Sequence, residues 1–297
     1  MNLTDVYLKT LGKLPGFLVM ILYMFAVLIL LALYTRYYAE RITSSIFPDT
    51  SISFFIIVML ALVFYIVRGG LPALARFNEM VFIVFIVLLC LGIFLSLFNV
   101  RITNLLPIST LDIIPVIRTS PVVLAIWSYF LFMFFFADKV NDKEHIKRLG
   151  IKTTVFITIS SMLIIIITVG TLGSSLAERV SLPYILTVKE ISVLNTLERL
   201  ESITLSLWVA ADCIIISVFT YILVYILNSL FRLSGTKALT GPVMLITYVL
   251  SLVLARNRFE LEEFSNKIFI PFNVILGFVI PVIVFIVGKI RKTDKKS

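Results

Sequence analysis

Long apolar runs alternate with short charged segments along the whole chain. Eight runs are long enough to cross a bilayer, whose hydrocarbon core is about 30 Å thick against a helical rise of about 1.5 Å per residue. They lie near 15–35, 52–68, 79–98, 119–137, 151–173, 203–231, 239–255 and 269–290. The run at 52–68 is the shortest. Gly69-Gly70 after it reads as a turn, with Arg76 and Glu79 opening the third run. Residues 174–202 read as an outer loop containing Leu182-Pro183-Tyr184 and a short, weakly amphipathic helix lying on the surface. The pattern therefore predicts an all-α polytopic membrane protein, a single integral membrane domain over residues 1–297.

Composition agrees with the pattern. Of the 297 residues, 60% are hydrophobic and 14% charged, where soluble chains carry about a quarter charged residues. The net charge of +9 is no nucleic-acid footprint, because the basic residues lie between apolar runs. Their bias sets an orientation. With both termini cytoplasmic, sixteen of the 26 Lys and Arg residues fall inside, concentrated in the 138–152 loop and the tail after Gly288. The other ten fall outside beside ten acidic residues. Cys90 and Cys213 lie in apolar runs and read as buried small hydrophobes, not as a disulfide. The lone His145 lies in a charged loop, so no His/Cys metal site is proposed. There is no phosphate-binding glycine loop, no Ser/His/Asp set and no paired carboxylates in a soluble cleft. Nothing points to an enzyme or to a cofactor.

One residue stands out chemically. Asp212 interrupts the apolar run from Ile203 to Phe231. On a helix, Glu201, Trp208 and Asp212 fall at i, i+7 and i+11, on one narrow stripe. Eleven residues place Asp212 about 16 Å below Glu201, near mid-membrane. A carboxylate there costs roughly 2.5–3.5 kcal/mol on insertion scales. Such a residue faces a bundle interior or a wet cavity. Asp212 reads either as a ligand-coordinating or proton-accepting group, or as a buried carboxyl hydrogen-bonded to a neighbouring span.

An ordered set of short motifs accompanies this stretch. They are Leu11-Gly12-Lys13 with Gly16, Arg36 with Ala39-Glu40, and Gly69-Gly70-Leu71 with Arg76. Asn104-Leu105-x-Pro107, Pro183, and Glu198-Arg199-Leu200-Glu201-Ser202 with Trp208 follow. In this order they resemble the spore germination permease family, the B subunits of GerA-type germinant receptors, within the amino acid–polyamine–cation transporter superfamily. The resemblance covers essentially the whole chain. It implies a transporter-like bundle of two inverted five-helix repeats (5+5) in the inner membrane of a bacterial endospore. It also implies A- and C-type partner subunits and recognition of a small germinant such as an amino acid.

The chain departs from that pattern in two ways. It carries eight spans where the family has ten, and the match begins just before the family's third span. The expectation is that two further apolar runs are encoded upstream of Met1. The family's sixth span, here 119–137, often carries Gly and an acidic residue where this chain has Tyr129 to Leu131, so a broken helix is not expected there. The candidate ligand-binding residues are Asp212, Trp208, Ser128 and Tyr129. Trp208, Ser128 and Tyr129 read alternatively as helix–helix packing groups. Glu198, Arg199 and Glu201 read as a salt-bridged helix start or an outer gate, and the 174–202 loop resembles the superfamily's lid. A germinant receptor B subunit is the leading reading. An amino-acid permease, or an inactive N-terminally truncated remnant, is the alternative.

Overall fold

The computed structural model describes residues 2–106, 109–140, 144–180, 182–190, 200–231 and 235–291. All regular structure among them is helical. Among the described residues, six helical segments are long and apolar enough to cross a membrane: Lys13–Ser45, Leu71–Asn99, Ile113–Phe136, Ile146–Leu172, Ile203–Phe231 and Arg258–Ile290. Two shorter apolar helices, Ile52–Arg68 and Lys237–Val253, stand where the other two runs were expected. The chain divides into two compact units. One comprises Met1–Arg76, Val116–Val140 and Asp212–Ser297, and the other Phe77–Pro115 and Asn141–Ala211.

In the first unit the chain begins with α1 (Leu3–Leu11), which the apolar pattern did not predict. Its start is a reciprocal cap: the Asp5 amide donates to Asn2 Oδ1 at 2.8 Å, and the Asn2 amide to Asp5 Oδ2 at 3.4 Å. Gly12, at φ +97°, then turns the chain directly into α2 (Lys13–Ser45). Met20, Tyr23, Val27, Leu30 and Leu31 of α2 are almost wholly enclosed, which makes it the central helix of this unit. The helix runs ten residues past the predicted end of the first span. It can do so because two of its charges are neutralised along its own face. Arg36 is buried and pairs with Glu40 at 2.7 Å, one turn on.

Packed against α2 are α3 (Ile52–Arg68) and α10 (Thr236–Val253), which also pack on each other. The connection from α2 to α3 is only residues 46–51, so these two helices are antiparallel neighbours. The later part of α9 (Leu200–Phe231) supplies Ile216, Phe219, Ile222, Leu223 and Ile226 to the same core. The last apolar run is a relay of α11 (Arg258–Phe264), a π-helical stretch Ser265–Phe269, α12 (Ile270–Val274), a second π stretch Ile275–Val279, and α13 (Ile280–Ile290). At its end, Arg291 Nη1 donates to the carbonyls of Thr10 and Leu11, both at 3.0 Å, and so closes the C-terminal end of α1.

The second unit contains most of α4 (Leu71–Ser96), together with α6 (Ile146–Leu172), α7 (Ser174–Arg179), α8 (Pro183–Lys189) and the first turns of α9. The segment after α4 is tied to α6 through one carbonyl. Gly170 O accepts from the Arg101 amide and from Asn104 Nδ2, both at 2.9 Å. The expected surface helix of the 174–202 loop is present as α7 and α8; residues 191–199 of that loop lie outside the described residues. Met80, Ile83, Val87, Ile159, Ile165 and Ile166 are all exposed along α4 and α6, as lipid-facing helices require.

Three expectations are corrected. The run 119–137 is not a plain helix: α5 (Ile113–Trp127) gives way to a nine-residue 3₁₀ stretch, Ser128–Phe136. The last helix starts at Arg258 and not at 269, because Arg258 and Glu262, and then Glu263 and Lys267, pair one turn apart and carry the helix outward. Cys90 is exposed on α4, whereas Cys213 is buried as expected. The apolar run at 79–98 has a lipid-side face, and Cys90 occupies it.

Candidate functional site

Two helical irregularities meet in the first unit. Runs of 3₁₀ longer than three or four residues are uncommon, and π turns occur mostly as single bulges, frequently at functional sites. Here the 3₁₀ stretch begins at Ser128, and Ser128 faces Gly277, in the middle of the second π stretch. A Cβ on Gly277 would lie 2.1 Å from Ser128 Cβ, so only glycine lets the two backbones approach this closely. The carbonyl of Ala125, one turn before the junction, accepts from Ser128 Oγ at 2.6 Å and from Asn273 Nδ2 at 2.8 Å. Asn273 is 1% exposed, and its Oδ1 has no hydrogen-bond partner among the described residues. The carbonyl of Leu276, inside the π stretch, accepts from the Tyr23 hydroxyl, which itself lies 3.2 Å from the Tyr7 hydroxyl.

Along α2 and α9 lies a second polar group. Arg41 Nη1 donates to Asp212 Oδ2 at 2.7 Å. Asp212 is buried, and the Arg41 side chain is 21% exposed. Seven residues back on α2 and seven on along α9, Tyr34 stacks on Phe219 at 5.8 Å. The two helices are therefore antiparallel, and the aromatic level lies about 10 Å from the ion pair. The Tyr34 hydroxyl donates to the Tyr129 hydroxyl at 2.7 Å, and the Tyr129 ring stands edge-on to Phe219 at 5.7 Å. The first unit thus gathers Asp212, Ser128 and Tyr129 along one helix pair and one helix junction.

Trp208 belongs to the second unit. There it is half-buried and lines a small cavity of about 140 Å³ with Phe85, Leu88, Ile164, Tyr184 and Thr204. Burial raises the Tyr184 hydroxyl above its ordinary pKa. Glu198 and Arg199 lie outside the described residues; Glu201 lies in the first turn of α9, and its side chain is outside them too. Among the described residues no group of three or more His, Cys, Asp or Glu could hold a metal ion.

Arg41 and Asn273 were missed from the sequence. Arg41 follows the first apolar run, and the i,i+4 charge pattern from Arg36 to Glu40 is the available sign that the helix continues to it. Asn273 is a lone amide in an apolar run that Pro271, Gly277 and Pro281 interrupt. Those interruptions are the signal of an irregular span.

A family model described as Spore germination protein (Spore_permease) matches residues 1–259. The chain belongs to the spore germination permease family. The match runs from α1 into α11, so it includes Arg41, Ser128, Tyr129 and Asp212, while Asn273 and Gly277 lie beyond it. Spore germination protein KB of Bacillus subtilis (strain 168) is 25% identical over 268 residues, covering 88% of this chain and 72% of the relative. No solved structure matches this permease-family chain. Family membership and six long apolar helices together make it a multi-pass membrane protein with a role in germination.

Proposed function

We propose that this chain is the B subunit of a germinant receptor in the spore inner membrane. It binds a small, amino-acid-like germinant and passes a conformational change to A- and C-type subunits. The carrying observation is the ion pair between the half-buried Arg41 and the buried Asp212 in a spore germination permease family member. Two opposite charges held inside a bundle match a zwitterion: its carboxylate to the Arg41 guanidinium and its ammonium to Asp212. Each charge then exchanges one partner for another, so neither is left uncompensated, which is the condition under which an enclosed pair can open at tolerable cost. The Tyr34–Tyr129 hydroxyls and the irregular backbone at Ser128 supply polar groups farther along, as discontinuous helices do in transporters. An inverted 5+5 arrangement with both termini cytoplasmic is the frame we propose for this site. Glu198, Arg199 and Glu201 are proposed as an outer gate.

The test is germinant dose–response in spores carrying Asp212→Asn, alongside an immunoblot. Asn keeps the shape and a hydrogen-bond acceptor for Arg41 but loses the charge. A normal protein level with a response curve displaced at least about tenfold, roughly the loss of one charge-assisted hydrogen bond, is expected. An unchanged curve at normal level removes the pair from the site. Net uptake of the germinant by proteoliposomes of this chain alone would assign it to a permease instead.

A further inference from the structure

Beyond the proposed ligand site, α3 and α10 form a groove that opens away from the core of the first unit. Ile57, Ala61 and Phe64 of α3 and Gly241, Leu245 and Tyr248 of α10 line a cavity of about 710 Å³. That volume is in the range of small-molecule sites, which run to about 1,000 Å³. Its walls are almost entirely hydrocarbon and aromatic ring.

The groove has a charged end. α3 runs antiparallel to α2. α10 runs parallel to α2, because Arg36, late in α2, donates to the carbonyl of Arg256, just past the C-terminal end of α10. The C-terminal end of α3 and the N-terminal end of α10 therefore lie together. These ends carry Arg68 and Lys237. Arg68 is four residues beyond Phe64, and Lys237 four residues before Gly241, about 6 Å along each axis from the groove lining. The Arg68 guanidinium sits over the Phe64 ring, 5.2 Å from its centroid, which holds it at the mouth of the groove. Both side chains are exposed, and neither pairs with a carboxylate among the described residues.

An occupant of this groove must be long and apolar with an anionic group at one end. We infer that the groove holds an anionic phospholipid of the surrounding bilayer, its acyl chains along α3 and α10 and its phosphate between Arg68 and Lys237. A basic pocket between membrane helices is the established setting for such headgroups. A zwitterionic lipid brings its own cation to the phosphate and so answers the two basic residues less well.

The experiment is native mass spectrometry of the purified full chain, released from nanodiscs of phosphatidylglycerol and phosphatidylcholine in equal parts. The parent chain is expected to retain phosphatidylglycerol preferentially. Arg68→Gln with Lys237→Gln is expected to weaken that retention about 30-fold, since each basic residue at a membrane surface contributes roughly fivefold. Gly241→Leu fills the groove: a Cβ there meets nothing within 4 Å, so the side chain enters open space. It is expected to abolish retention with both cations intact. Thermal unfolding in phosphatidylcholine alone checks that both variants fold. Equal retention of the two lipids, unchanged retention in the double variant, or unchanged retention in Gly241→Leu overturns the inference. So does a protein adduct with no phospholipid, which would make the groove a seat for another chain's helix.

Discussion

Replacing Gly277 by Ala tests whether the helix junction is as tight as described. The added Cβ would sit 2.1 Å from Ser128 Cβ and 2.8 Å from Ser128 Cα. Carbon atoms rest about 3.5–4.0 Å apart, so the two backbones must separate by roughly 1.5 Å. Overpacking of this kind costs about 1–3 kcal/mol. The same displacement stretches the Asn273–Ala125 hydrogen bond from 2.8 Å beyond bonding range and leaves the buried Asn273 amide without its acceptor, about 1–3 kcal/mol more, while the Ala125 carbonyl keeps its bond from Ser128 Oγ. The sum is about 2–6 kcal/mol, or a drop of roughly 5–20 °C in the unfolding midpoint by the scaling of domains of comparable size. The assay is thermal unfolding of the purified protein in detergent, arranged as a double-mutant cycle with Ser128. Ser128→Gly removes the atom at 2.1 Å and leaves the nearest at 2.8 Å, so the separation needed falls to about 0.7 Å and more than half the loss is expected to return. Ser128→Ala keeps the Cβ and is expected to restore nothing. A Gly277→Ala protein as stable as the parent, or equal rescue by Ala and Gly at position 128, refutes the close approach.

Three further outcomes are expected. Arg41→Leu should destabilise by about 3–5 kcal/mol by stranding the buried Asp212 carboxylate, Asp212→Leu by less because the Arg41 side chain is partly exposed, and the double variant should lose far less than their sum; additivity would show that the pair is not coupled. Asn2→Ala should cost about 0.5–2 kcal/mol through the lost cap, read as faster amide exchange confined to α1; unchanged exchange there would dismiss the cap. With Cys90 and Cys213 replaced, a single cysteine at Ser174 should react with an impermeant thiol reagent from outside and one at Lys147 should not; the reverse pattern would invert the proposed orientation.

The apolar periodicity located the helices because burial in lipid leaves the backbone no other way to bond. It placed their ends poorly. α2 outran its apolar run by ten residues because Arg36 and Glu40 neutralise each other on the helix surface, and a hydropathy window cannot see such a pair. α1 was invisible because a nine-residue helix held by a cap and a glycine turn has no membrane-length signature. Asp212 was legible as a group that needs a protein-facing side, and its enclosure follows from the cost of charge in lipid. Its partner was not legible, since a contact across 171 positions leaves no local trace. The 3₁₀ stretch at Ser128 escaped for a related reason. Nothing between Ser128 and Phe136 disfavours an α-helix; the stretch coincides with the close approach of Gly277 and the bond from Asn273, both distant in sequence.

Among the described residues, the two π stretches give the last span a different pitch from the plain α-helices. Leu261, Phe269, Asn273, Leu276, Val284 and Gly288 are the buried positions from α11 to α13, and the first and last lie 27 residues apart. Seven turns of plain α-helix use about 25 residues. The surplus of about two is one extra residue for each π stretch, so the buried side stays aligned only because both are present. Deleting one residue from a stretch would restore plain α-helix and keep this phase, whereas rewinding the stretch as α-helix with all its residues would swing everything beyond it by about 100°. Val284 and Gly288 would then turn outward, and Arg291 would swing away from the end of α1. The residue count of this span is thus tied to its two π stretches, and membrane thickness alone does not determine it.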